Sequence, residues 1–210
     1  MDDIPQFFDC LYKERGTYYG TGPSDGLVEC IAKYHISPCR TLDIGCGTGR
    51  NALWLAAQGY NVLAIDVSNE AVRATSEAAA HENIHLRTQV CNIGVDTVHG
   101  DKFGLVVAIT TLNHIAESDL PHAYKLITDS LDANGILYCV VFTKDDPGFT
   151  GDSLHASECS RAVRYFFNHN ELSDAFPGLE VMEYSEYVKP DTSHGPPHMH
   201  AKAKLVARKS

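Results

Sequence analysis

The sequence lacks any excess of basic residues: 17 Lys and Arg stand against 27 Asp and Glu, a formal net charge of −10 at pH 7. Nucleic-acid binding draws much of its affinity from cationic neutralisation of phosphates, so a nucleic-acid partner is disfavoured. A small anion held by a local basic patch stays open, because net charge acts on steering and solubility and not on a single site. No run approaches the roughly 20 apolar residues of a membrane span. Met1-Asp2-Asp3 lacks the basic start of a secretory signal, so neither membrane insertion nor export is expected. There is no CxxC pair, internal repeat, low-complexity tract or interdomain linker. The cysteines, at positions 10, 30, 39, 46, 91, 139 and 159, are odd in number and read as reduced thiols in a cytoplasm, most of them packing as small hydrophobes.

What is present fits one packed α/β domain. Hydrophobic residues make up 44 % of the 210 residues and charged residues 21 %, ordinary globular usage. Residues 1–35 read as an N-terminal helical or lid segment, with PQFFDCLYKE as its helix and GTYYGTGPS as an aromatic, turn-rich continuation. Residues 36–210 read as the core. Strands are expected at 39–44, 60–66, 85–91, 105–109 and 136–142, and helices at 51–58, from Ser68 as N-cap to about 81, and over LPHAYKLITDSL. That rhythm means a doubly wound, mostly parallel sheet with right-handed crossovers. Two further strand-like runs, 179–188 and 198–209, are joined by a loop too short for a helical crossover and should pair antiparallel.

The chemistry-bearing motif is Gly45-Cys46-Gly47-Thr48-Gly49, set between a strand and a helix. Glycines there allow a tight turn and let a ligand approach bare backbone amides at a helix N-terminus. Asp66, 21 positions after Gly45, ends the next strand, where a carboxylate can accept both hydroxyls of a ribose. Together they point to a nucleoside-bearing cofactor across the first two strands. A dinucleotide fingerprint would want glycine at position 50, where this chain has Arg50.

LDIGCGTGRNALWLA, with Asp43 just before the glycines, resembles the first motif of class I S-adenosylmethionine-dependent methyltransferases. VLAIDVS resembles their ribose-binding segment, and Cys91-Asn92-Ile93 their adenine-recognising segment, with Asn92 where many members carry Asp. YYGTGPS, the GRNALWLA helix opening and the ending SHGPPHMHAKAKLVARK resemble the tellurite-resistance methyltransferase branch, whose members are credited with methylating chalcogen oxyanions or related small soft nucleophiles. The resemblance implies a Rossmann-like, seven-stranded sheet with an antiparallel C-terminal strand and S-adenosyl-L-methionine as cofactor. It implies that Gly45, Cys46 and Gly47 line the methionine part, Asp66 holds the ribose, Val67 packs on adenine and Asn92 with Ile93 meets the adenine edge. Arg50, paired with the cofactor carboxylate or else a solvent-exposed helix arginine, and Thr110 complete the expected cofactor contacts. Cys46 reads as backbone packing and not as a nucleophile. The DPPY-like tetrad of base-modifying amino methyltransferases is absent, Ile109-Thr110-Thr111-Leu112 standing in its place.

The substrate should lie outside the carboxyl ends of the parallel strands. Asn113-His114 and Thr143-Lys144-Asp145 follow the fourth and fifth strands, and residues 191–200 should border the same pocket. His114, His198 and His200 are the substrate-side candidates for catalysis, with Tyr18, Tyr19 and His194 nearby; facing the pocket, the loop histidines would donate to an anionic acceptor and switch charge near pH 6.5, the alternative being a surface-loop cluster without function. The spacing HxxxHxH can supply facial metal ligands, yet Pro196-Pro197 leaves its geometry open, and no metal is assigned. The expected activity is methyl transfer to a small soft or anionic acceptor such as tellurite or selenite. A thiol, carboxyl or natural-product acceptor, a noncatalytic cofactor-binding protein and, third, an NAD enzyme are the alternatives.

Overall fold

The structure, a computed structural model, describes residues 3–98, 102–151, 162–192, 194 and 196–210. Seven strands, β1 (Arg40–Ile44), β2 (Asn61–Asp66), β3 (Arg87–Val90), β4 (Phe103–Ile109), β5 (Leu131–Phe142), β6 (Leu179–Asp191) and β7 (His198–Lys209), form one sheet in the order β3-β2-β1-β4-β5-β7-β6. β1 to β5 pair in parallel, and β7 is antiparallel to both β5 and β6. This is the class I methyltransferase sheet, and the terminal hairpin expected from the sequence is present.

The parallel strands read as apolar runs because both faces are covered. Leu42, Ile44, Val106 and Ala108 point to a core shared with Ala123 and Ile127 of helix α5 (Leu120–Ser130). Alternate positions Val62, Ala64, Leu105 and Val107 point to the opposite core, with Leu27 and Cys30 of α2 (Asp25–Lys33) and Ala52 and Leu55 of α3 (Arg50–Ala57). Each of the larger of these side chains, the leucines, isoleucines and valines, contributes about 1.5–3 kcal/mol on burial. Helix α2 was hidden from the sequence reading behind the turn-rich GTYYGTGPS; it packs with the sheet, so residues 1–35 hold two different things.

The other is α1 (Ile4–Arg15), which packs against α4 (Asn69–His81). The Ser68 hydroxyl accepts from Ala71 N–H at 3.1 Å, the expected N-cap, and itself donates to Asp9 of α1 at 2.6 Å. Asp9 also accepts from Glu70 N–H at 3.1 Å, so a carboxylate sits at the positive end of α4 and ties the two helices together. Two short helices, α6 (Pro147–Thr150) and α7 (Glu171–Asp174), lie between β5 and β6. Strand β6 runs beyond the expected end at 188 to Asp191; it is an edge strand, which tolerates Pro190. The six described cysteines are free thiols, and Cys159 lies outside the described residues. No helix among the described residues is long and apolar enough to cross a membrane.

Candidate functional site

The chain steps from β1 out to β3 and then returns to lay β4 on the other side of β1, so the strand order reverses there. A crevice at such a switch point is where open α/β sheets bind ligands. A cavity of about 430 Å³ occupies it, within the range of small-molecule sites. Gly45, Cys46, Gly47, Arg50, Asp66, Val67, Asn92, Ile93 and Thr110 all line it, as do His114 and Tyr19.

The glycine loop has its shape for identifiable reasons. Gly45, Gly47 and Gly49 have φ of +69°, +56° and +91°, a region unfavourable to residues with a Cβ. A Cβ on Gly45 would lie 2.1 Å from Thr111 Oγ1, and one on Gly47 would lie 3.1 Å from the Tyr12 hydroxyl. Asp66 is buried at the end of β2, where one oxygen accepts from Gly47 N–H and the other from Ser68 N–H, each at 2.9 Å. The carboxylate is thereby aimed, and Val67 N–H acts on it as well. Burial pushes its pKa up to about 6, against the pull of those backbone amides.

Asp43, 2 % exposed near the end of β1, carries the one buried carboxylate oxygen without a hydrogen-bond partner among the described residues, Oδ2. Its pKa is raised to about 7, first by burial and then by Asp66, with Arg50 opposing. Cys46 is buried, and its thiol is pushed well above 9 by burial and the two carboxylates, so packing is its role at neutral pH. Thr110 is a β-branched residue at φ +57°, at the tip of β4, held by its N–H to Val140 O at 2.7 Å. A strained residue of this type on a cavity wall is a feature of ligand sites. Asn92 Oδ1 accepts from Gly94 N–H at 3.0 Å, which sets the side-chain amide.

Several wall residues went unread in the sequence. Ile4, Pro5, Phe8 and Tyr12 of α1 roof the cavity, and Arg164 and Asp119 stand on its wall near His114. The Ile4-Phe8-Tyr12 spacing puts one apolar stripe on one helix face, a signal that was available. Tyr19 belongs to the same roof, its carbonyl accepting from Arg50 at 3.0 Å. The half-buried His114 packs edge-on to Phe8, and its Nδ1 lies 3.0 Å from the Ala162 carbonyl. A carbonyl only accepts, so Nδ1 carries the proton and Nε2 the lone pair. Burial lowers the His114 pKa, with Arg164 acting in the same direction, so the ring is neutral at physiological pH.

The loop histidines are placed differently from expectation. The β6–β7 connection does lie at the carboxyl edge, since Phe142 at the end of β5 pairs with Lys202. Yet His194, His198 and His200 are all buried and, like Tyr18, are not among the cavity residues. They pack on one another, with the Tyr18 and Tyr19 rings 5.2 and 5.0 Å from His194, so Tyr19 separates them from the cavity. Nor does the expected charge switch near pH 6.5 hold for His194, whose pKa burial drives down to about 4 despite Asp191.

The sequence model of the family described as tellurite resistance protein TehB matches residues 16–194. A Haemophilus influenzae protein described as a probable S-adenosyl-L-methionine-dependent methyltransferase TehB is 26 % identical over 170 residues, which is 80 % of this chain and 55 % of that protein. The crystal structure of TehB from Haemophilus influenzae matches with a TM-score of 0.76 at 22 % identity, covering 97 % of this chain and 67 % of that one. A structure concerned with conversion of a disulfide bond into a thioacetal group during echinomycin biosynthesis matches at 0.78 and 17 % identity, covering 99 % and 92 %. The chain spans about half the length of the curated relatives it matches. With the methyltransferase sheet, the glycine loop and a family match over most of its length, the chain belongs to the TehB family.

Proposed function

We propose that this chain binds S-adenosyl-L-methionine in the switch-point cavity and transfers its methyl group to a small soft or anionic acceptor. The observation that carries the reading is the convergence of nine residues, from three strand ends and the glycine loop, on one cavity whose polar groups suit that cofactor. The Asp66 carboxylate on the cavity wall suits the ribose hydroxyls, and Asp43, buried behind the glycine loop and not itself on the wall, would act on the ammonium of the methionine end as a nearby negative charge and not as a contact. Gly45 and Gly47 keep the backbone bare beneath it, Val67 and Ile93 supply apolar surface for adenine, and Asn92 stands at the adenine edge.

When bound, the cofactor supplies a sulfonium-activated methyl group. The protein's part is to align and to dry the site. Phe8 and Tyr12 of helix α1, together with Tyr19, roof the cavity with aromatic surface, which lessens the water at the reacting centre. Holding the acceptor in line is worth about 7–11 kcal/mol of the barrier, more than an already anionic nucleophile needs from a base. Arg164 on the cavity wall suits the acceptor's negative charge, and neutral His114 has a lone-pair nitrogen for an acceptor that arrives protonated, such as a thiol. Chalcogen oxyanions, tellurite and selenite, are the acceptors we favour, in line with the description of the family.

The test is turnover with methyl-labelled cofactor against tellurite, selenite and a small thiol panel. Labelled, methylated product from one of these supports the proposal. Cofactor binding without transfer to any of them would refute the acceptor class.

A further inference from the structure

The histidine cluster behind Tyr19 has a proton arrangement that the methyl-transfer reading does not use. His200 Nδ1 lies 2.8 Å from Asp146 Oδ2, and the same oxygen accepts Ala201 N–H at 3.0 Å while Oδ1 accepts Gly148 N–H at 2.8 Å. Asp146 is 1 % exposed and surrounded by donors, which favours the acceptor-only carboxylate, so the proton between it and His200 belongs on Nδ1. His198 Nδ1 lies 2.8 Å from the Pro196 carbonyl, also an acceptor only. Both tautomers are therefore fixed with the proton on Nδ1. In the neutral rings the two Nε2 atoms, 3.0 Å apart, then face each other as lone pairs. Two lone pairs at hydrogen-bond distance, on side chains 7 % and 2 % exposed, call for a cation between them.

A shared proton would answer for that pair but not for the third ring. His194, 8 % exposed, brings one ring nitrogen into the same group, so that the three ligand atoms lie within 4.8 Å of one another. Zinc bound tetrahedrally at about 2.0–2.1 Å sets its nitrogen ligands about 3.3–3.4 Å apart, a spacing bracketed by this cluster. The Asp146–His200 contact repeats the carboxylate–histidine pairing that orients metal-bound imidazoles. On this strand face Lys202 is held by Asp191 at 3.4 Å and Lys204 by Glu183 at 2.5 Å. We propose that His194, His198 and His200 form a three-imidazole site for a divalent first-row transition ion, zinc first, with Asp146 as the positioning residue and the fourth coordination place left for water or an anion. Imidazole suits zinc, copper, nickel and iron(II), and a set with no thiolate and three neutral nitrogens gives an open, zinc-type site. Because Tyr19 lines the cofactor cavity and packs on His194, the metal and the cavity share a wall.

The experiment uses the full chain, stripped with a chelator and dialysed, then titrated with Zn²⁺ against a chromophoric competitor and with Co²⁺ followed by its visible absorption. One equivalent of Zn²⁺ per chain is expected, with a tetrahedral Co²⁺ spectrum and a melting temperature raised by the metal. His198→Ala and His200→Ala should each lose at least a hundredfold in affinity, and Asp146→Asn roughly 10–100-fold. If burial makes those variants fail to fold, His194→Gln, placed on the connecting loop, should fold in the absence of metal and bind Zn²⁺ at least tenfold more weakly. Substoichiometric binding by the wild type overturns the proposal, as does affinity unchanged in a folded His194, His198 or His200 variant. These readouts do not involve S-adenosylmethionine, so they stand or fall separately from the methyl-transfer reading.

Discussion

Asp43 offers a perturbation with opposite effects on stability and on binding. Its pKa is raised from 3.8 to about 7 and that of Asp66 from 3.8 to about 6, in both cases chiefly by burial. A raised acid pKa means that the folded state prefers the protonated form. The associated stability is fully present below pH 3.8 and is lost as pH rises through about 6 for Asp66 and about 7 for Asp43. A ligand that needs both groups as carboxylates must bind more tightly along the same climb. At pH 5 Asp66 lies about one unit below its pKa, so the dissociation constant for S-adenosylmethionine should be at least about tenfold higher than at pH 7.5, with protonation of Asp43 adding to the rise. Asp43→Asn removes the Asp43 contribution and should leave the roughly tenfold dependence of Asp66. In the free protein at pH 7.5 the same substitution relieves about 4 kcal/mol of charge burial and adds about 1–3 kcal/mol for an amide lacking a partner, a net gain of about 1–3 kcal/mol. Calorimetric titrations at several pH values and denaturant unfolding measure the two effects. A flat binding profile, or an Asn variant that is less stable than wild type at pH 7.5, would refute the reasoning.

Asp66→Ala should weaken cofactor binding by about 1–3 kcal/mol, through loss of the ribose acceptor and of the carboxylate that holds Gly47 N–H; calorimetry measures it. Gly47→Val places a β-branched residue at φ +56° against Tyr12, and should both abolish measurable cofactor binding and cost about 1–3 kcal/mol in urea unfolding. Arg164→Gln should raise the KM for an anionic acceptor at least tenfold while cofactor affinity changes less than twofold; an unchanged KM would remove Arg164 from the acceptor site.

The sheet and the glycine-loop side of the cavity were legible because each rests on local chemistry. A strand followed by Gly-x-Gly-x-Gly and then Asp at the next strand end is one contiguous pattern, and Ser68 announces its helix by a cap that forms as expected. The boundaries at 105 and 136 were short because a register shift between Phe103 and Leu105 lengthens both strands. Helix α2 buries Leu27 and Cys30, three residues apart, but nine turn-forming residues before it masked that period. The acceptor side was harder to read. Alternation along β7 does put His198, His200, Lys202 and Lys204 on one face, yet no periodicity reveals that Asp146, far away in sequence, pairs with His200 and draws the histidines inward. The roof of the cavity comes from the N-terminus, Tyr19 and helix α1 lying 26 or more residues before the glycine loop, and only folding brings it there.

The most direct test of the central claim is a crystal structure of the protein with S-adenosylhomocysteine. The account predicts the ligand in the cavity at the ends of β1, β2 and β4, its ribose hydroxyls within hydrogen-bond distance of Asp66 and its amino-acid end over Gly45 and Gly47. A ligand bound elsewhere on the chain, or a ribose that makes no contact with Asp66, would contradict it.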